Sequence, residues 1–302
     1  MSFKGGGSEN GLGVMRRIEV VATIRDAYVF AATHLGGVIG LIWVPMVLAT
    51  IMGFFSLQRY YNDFINAMAG GNVAALGPSM LMMLGYLVAA LLLYAVMFVA
   101  VVQLALGARA APQFAHFAFG NLEWRMFRAF AAFIGVILAL AIPALIAANA
   151  VFALAGGAQD MGPALMPVIF YGVMLIAMPR FFVLLPTVAV AENAPVLRRT
   201  WMLSAGNFWR LLAVLLAIFG PILLLFTGLA EVALAGHPAP APAAGGTREM
   251  VMMAAIIRAR DILPLISGLG FLISPLLVGL LAGASVSVWR TLKDEPALDI
   301  AV

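Results

Sequence analysis

Residues 180–209 read RFFVLLPTVAVAENAPVLRRTWMLSAGNFW. An apolar run closes at Pro186 and Glu192, a short helix carrying Arg198, Arg199 and Trp201 follows, and Asn207 opens a second apolar run. This is the pattern of two membrane spans joined by a helical elbow on the cytoplasmic surface. Asn193 is the expected N-cap of the elbow, with Pro195 in its first turn where a missing N–H is harmless. Leu197, Trp201, Ala205 and Phe208 share one face at helical spacing, and Arg198 and Arg199 are expected to point to water or headgroups.

The rest of the chain repeats this unit. Composition requires a lipid solvent: 64% of 302 residues are hydrophobic, only 10% are charged, and the mean hydropathy is +1.08. A soluble domain has about half and a quarter, respectively. Six spans are expected at about 37–57, 80–107, 129–155, 164–190, 208–235 and 262–289, each long enough to cross a ~30 Å core. Residues 1–13 are Gly-rich and read as a flexible tail without a signal peptide's apolar region. Residues 14–34 read as an amphipathic interfacial helix with Ile18, Val21, Ile24 and Tyr28 at helical spacing. Residues 109–128, rich in Phe and with Trp124, read as a second interfacial helix. Residues 249–261 read as a further amphipathic segment after a Pro/Ala/Gly loop at 237–247.

The fold class is therefore all-α, polytopic, with a single six-span membrane domain over 14–290 and a cytoplasmic tail at 291–302. Gly120-Asn121 precedes the third span and Gly206-Asn207 the fifth, 86 residues apart, and a further step of 86 back from Asn121 lands on Leu35, beside His34. Three tandem parallel units follow, about 14–108, 109–192 and 193–290, each an interfacial helix and two spans. With the N-terminus inside, 12 of the 17 Lys and Arg fall on the cytoplasmic side and four on the other, with Arg180 inside a span. The positive-inside rule then puts both termini in the cytoplasm.

The net charge of +4 is small and scattered, so no nucleic-acid partner is expected. Cysteine is absent, which excludes disulfides, thiolate zinc sites and a Cys nucleophile. His34, His116 and His237 stand alone, without metal-ligand spacing. No nucleophile motif, P-loop or grouped carboxylates occur, so neither an enzyme, nor a catalytic or metal site, nor a cofactor is expected.

The residues that remain are those of the elbow. Arg180, about 15 Å deep in its expected span at ~1.5 Å per residue, has two readings. It contacts a lipid phosphate or anionic substrate, or it snorkels to the headgroups. Arg198, Arg199, Trp201 and Arg210 join it as candidate contacts for anionic headgroups. Glu231 has the corresponding pair of readings, a proton or cation site or an interfacial residue reaching water. Gly36 and Gly40, and Gly279, Gly283 and Ser287, are small residues four apart that let helices approach closely, within the chain or in a homo-oligomer.

Arg180, the Leu197-Arg198-Arg199-Thr200-Trp201 elbow and Gly206-Asn207-Phe208-Trp209-Arg210 together resemble a bacterial family of six-span membrane domains. It includes the domain associated with some glycerophosphodiester phosphodiesterases and the YciC-like inner-membrane proteins. Thr200 stands where the family more often has Ser, and the 13 residues after Trp289 hold no phosphodiesterase domain. The resemblance implies the six-span fold and a bacterial inner (cytoplasmic) membrane location. The function expected is a non-enzymatic one, organising or sensing the envelope through membrane lipids, anionic ones included, and a membrane-protein partner. A transporter or lipid-translocating protein with a cavity near Arg180 is the alternative.

Overall fold

A computed structural model describes residues 17–109, 119–154, 162–190, 196–236 and 248–293. The expected tail at 1–13, the caps Asn193 and Pro195, and the loop at 237–247 lie outside them, as does most of the tail after Arg290. The described residues are helical, with no strand among them. In chain order the helices are α1 (Val20–Thr33), α2 (Leu35–Gly70), α3 (Gly77–Ala105), α4 (Asn121–Leu154), α5 (Gly162–Arg180), α6 (Leu184–Ala189), α7 (Val196–Leu203), α8 (Phe208–Ala235) and α9 (Arg248–Lys293). Five of them, α2, α3, α4, α8 and α9, are long and apolar enough to cross a membrane.

The helices outrun the expected spans. α2 has 36 residues and α9 has 46, about 54 and 69 Å at ~1.5 Å per residue. Arg59 to Phe64, past the expected end of the first span at 57, continue α2 without a break. Residues 249–261 are likewise the first turns of α9. Leu122, Trp124 and Phe127, assigned to a separate interfacial helix, are the first two turns of α4. Charge marks where lipid ends, but the backbone hydrogen bonds of a helix carry on past that point.

The fourth expected span, 164–190, is not one helix. α5 ends at Arg180, residues 181–183 turn, and the six-residue α6 follows. Pro186 supplies the reason. A helix continued through it would leave the Phe182 carbonyl without its i+4 N–H and press the ring against it. At the third position of α6 the same residue needs no N–H. Phe181, Phe182, Val183 and Leu184 are all buried, so protein surrounds this irregular backbone.

This turn lies where the packing layers meet. Phe182 and Val183 pack with Ile18, Ala27 and Ala31, with Leu211, Val214 and Ile218 of α8, and with Leu280, Ala284 and Trp289 of α9. Phe181 and Leu184 pack with Ala95 and Val99 of α3 and Met126 and Ile137 of α4. A third layer joins Val38, Leu41 and Ile42 of α2 to Met97 and Val101 of α3 and Val278 and Ala282 of α9. α9 thus touches α1, α2, α3, α6 and α8 and acts as the central strut.

α9 also closes helix ends. Arg290 Nη2 donates to the Ala105 carbonyl at the end of α3 (3.1 Å), and Arg258 Nη2 to the Leu234 carbonyl at the end of α8 (3.1 Å). Both satisfy C-terminal carbonyls that have no partner within their own helix. Arg258, one of the four basic residues expected on the outer side of the membrane, therefore has a local structural reason to be there.

α1 packs antiparallel along the last part of α9. Thr23, Ala27 and Ala31 form its buried stripe. Of the four residues expected at its apolar spacing, Ile18 is buried, whereas Val21 is 80% exposed and Tyr28 is exposed too. The small residues face protein and the large ones face outward, the usual division where lipid is as apolar as the core. Many large side chains of α3, α4 and α8 are exposed in the same way, Leu81, Leu140, Ile146 and Leu224 among them. A water-facing surface of that character would be unusual for a soluble monomer.

Candidate functional site

The elbow brings three residues together. Arg180 is the last residue of α5, so it stands at a helix end and not within one continuous helix. A cation there is favoured by the helix dipole. Its guanidinium carbon lies 4.8 Å from the Trp201 ring centroid and 5.5 Å from that of Phe208. Contacts of this kind are worth about 0.5–2 kcal/mol according to exposure. Trp201 in turn packs on Phe181, the first residue after α5, with ring centroids 5.9 Å apart. Among the described residues, no carboxylate or carbonyl bonds to Arg180. The aromatic faces hold the planar cation and leave its N–H edges for an acceptor.

Local sequence explains the placement. Thr200 and Ser204 are the fully buried side of α7, with Thr200 Oγ1 donating to the Val196 carbonyl and Ser204 Oγ to the Trp201 carbonyl. Leu197 packs against the α3–α4 layer. Trp201, expected on the inward face, is 47% exposed instead, half on Arg180 and half outside. Gly206 then takes φ 77°, the left-handed turn that lets α7 stop and α8 begin.

Arg210 has a structural contact beside the one expected of it. Asn207 Oδ1 accepts from the Ile18 N–H (3.2 Å), and Arg210 Nη1 donates to the Ile18 carbonyl (3.3 Å). The two side chains grip both polar groups of one peptide residue, whose own side chain is buried. The Gly-Asn-Phe-Trp-Arg segment therefore docks the chain just ahead of α1 onto the start of α8, while its Phe208 completes the Arg180 platform. Arg198 is exposed and Arg199 half-buried on α7. Phe208 was not among the ligand candidates, although its place on the Leu197–Trp201–Ala205 face was the signal for it.

Of the small residues, Gly279 and Gly283 make their close approach within the chain. A Cβ at Gly279 would lie 3.5 Å from the Ala31 Cβ, and one at Gly283 would lie 3.0 Å from Phe30 Cδ1 and 3.3 Å from the Ala27 Cα. Ser287 Oγ donates to Asp26 Oδ2 (3.1 Å), one turn further along the same pairing. Gly36 is exposed and a Cβ there would meet nothing within 4 Å, so it makes no close approach in this chain. Gly40 is half-buried. Glu231 is exposed near the end of α8.

Gly120 and Glu123 start α4 in a related way to Asn207 and α8. Glu123 is buried and its Oε2 accepts from the Gly120 N–H (2.8 Å), half of a capping box. It is the one buried charged side chain among the described residues; the other buried polar ones are hydroxyls and the Asn207 amide. No group of three His, Asp or Glu that could hold a metal occurs among the described residues.

No family model, curated protein or solved structure matches this chain.

Proposed function

We propose that this is a non-enzymatic membrane protein that holds anionic lipid headgroups at the Arg180–Trp201–Phe208 platform and so organises or senses the surrounding membrane. The observation that carries this reading is the guanidinium held between two rings with no described acceptor on its N–H edges. Phosphate oxygens match that edge in geometry and charge. Exposed Trp201, Trp209 and Met202 beside it suit an interfacial position, where amphipathic rings settle at headgroup level.

The wider frame of the proposal is six crossings in a bacterial inner membrane with both termini cytoplasmic, within the family of six-span domains that the elbow resembles. α5, with 19 residues, is about 28 Å long, and supplies the sixth crossing. Helix starts at Leu35, Asn121 and Phe208, 86 and 87 residues apart, support three tandem units.

Glu123 is the one buried charge among the described residues, which favours lipid holding over transport of a charged solute, since an ion path through the bundle needs polar or charged groups along it. Native mass spectrometry of gently extracted protein tests the platform. Wild type is expected to retain an anionic phospholipid, and Arg180→Leu to retain at least tenfold less. Trp201→Ala should shift retention the same way but less. Equal retention by wild type and Arg180→Leu would refute the reading and leave Arg180 a structural stacking residue.

A further inference from the structure

A cavity of about 170 Å³ lies between α2, α3 and α9, away from the Arg180 platform. Gly53 on α2 is six residues from Arg59, and Ser267 on α9 is six from Asp261. Each is about 9 Å along its helix from a charged residue at ~1.5 Å per residue. The charged rim is itself joined across the two helices, with Arg260 Nη1 donating to Asn62 Oδ1 at 3.5 Å. The cavity therefore sits inside the apolar layer, a turn and a half below a polar edge.

Its lining is distinctive. Phe54, Tyr86, Tyr94 and Phe271 contribute four rings, and Met46 and Met97 two thioethers. Among the described residues no charged side chain lines it. The Tyr86 and Tyr94 hydroxyls have no hydrogen-bond partner among the described residues. Both are therefore open to an acceptor, beside the Thr50, Ser267 and Ser274 hydroxyls that share the lining. The backbone makes room for one of them. At Gly53 a Cβ would stand 2.7 Å from Tyr86 Oη, so with glycine here the hydroxyl packs directly on the α2 backbone. Tyr94 is 41% exposed, within reach of a molecule arriving from the bilayer.

We propose that this cavity binds a neutral, ring-sized molecule bearing a carbonyl acceptor, of the quinone type, drawn from the bilayer. Size, lining and donors agree on this class. A cavity of about 150 Å³ holds one benzene, so 170 Å³ takes one substituted six-membered ring. Aromatic and thioether groups favour a flat conjugated body over a saturated chain. Phenolic hydroxyls donate to a carbonyl, and a lining of rings, thioethers and hydroxyls suits a neutral molecule. The inference concerns binding alone and stands apart from the lipid platform.

A benzoquinone with a decyl tail is the probe. The full chain in nanodiscs is titrated with it and the bound fraction compared with empty nanodiscs. Saturable binding near one probe per chain is expected above the empty-disc background. Tyr86→Phe, which keeps the ring and loses the donor, should weaken it about tenfold. Gly53→Leu, which fills the cavity, should abolish it. Circular dichroism reports whether each variant keeps its helices, and Tyr86→Phe alone decides the matter should Gly53→Leu fail to fold. Uptake equal to that of empty discs, unchanged binding in Tyr86→Phe, or full binding in a folded Gly53→Leu would each overturn the proposal.

Discussion

Trp289→Ala is expected to lower the stability of the bundle by about 3 kcal/mol, the low end of the range for emptying a buried aromatic site. The low end applies because lipid is as apolar as the interior, which removes most of the transfer gain and leaves lost packing. Trp289 is 2% exposed and sits in the layer where α1, α8, α9 and the 181–183 turn meet. The Lys293 ammonium lies 4.5 Å from its ring centroid. Its indole N–H is buried without a described partner, so Trp289→Phe removes an orphan donor along with some volume. That variant should therefore lose less than about 1 kcal/mol, since deleting an unsatisfied polar group offsets part of the packing loss. Unfolding of purified protein in mixed micelles, followed by circular dichroism, separates the two outcomes. Equal losses for Ala and Phe would mean that the indole N–H is satisfied after all.

Gly283→Leu is the second large effect, an expected loss of about 3 kcal/mol by overpacking. A Cβ at this position already meets Phe30 at 3.0 and 3.1 Å and the Ala27 backbone at 3.3 Å. A leucine must push α1 away from α9. Moving α1 disturbs the Asp26–Ser287 bond and the grip of Asn207 and Arg210 on Ile18 as well. Gly279→Ala is the control on the same face. Its nearest contact, Ala31 Cβ at 3.5 Å, is ordinary packing, and it should change stability by less than about 0.5 kcal/mol, as distant or loosely packed sites do. Thermal unfolding of the two variants side by side tests this. Comparable losses would show that α1 is not held by the close approach at Gly283.

The sequence made the lipid-facing helices legible because hydropathy reports the solvent directly. The stretch 37–57 carries no charge and lies within α2. It made helix ends less legible. Arg59 and Asp63 mark the end of lipid, yet they lie in the middle of the last turns of α2, 3.6 Å apart as an i, i+4 pair, where the helix simply continues into water. The helix end at Arg180 was hidden for a related reason. A hydropathy window sees an apolar run through 190, and only the missing N–H of Pro186 signals that the helix must stop before it. The Arg180–Trp201 partnership was half legible, since both residues were singled out, but their contact needs the chain to reverse through α6 and α7. The clamp on Ile18 was not legible at all, because it joins residues 189 and 192 positions apart. Nor was the aromatic cavity, whose rings come from three helices at spacings no single periodicity records.

The most direct test of the account is topology, because the platform has headgroups to hold only if α5 crosses the membrane and sets Arg180 at the cytoplasmic face. The chain lacks cysteine, so single cysteines can be introduced without background. Ala158→Cys, between α4 and α5, and Ala205→Cys, between α7 and α8, are labelled in intact cells with a membrane-impermeant maleimide. The account predicts that position 158 reacts from outside and that position 205 reacts only after the cells are opened. Reaction of both from the same side would contradict it, leaving α5 a re-entrant segment and Arg180 away from the cytoplasmic surface.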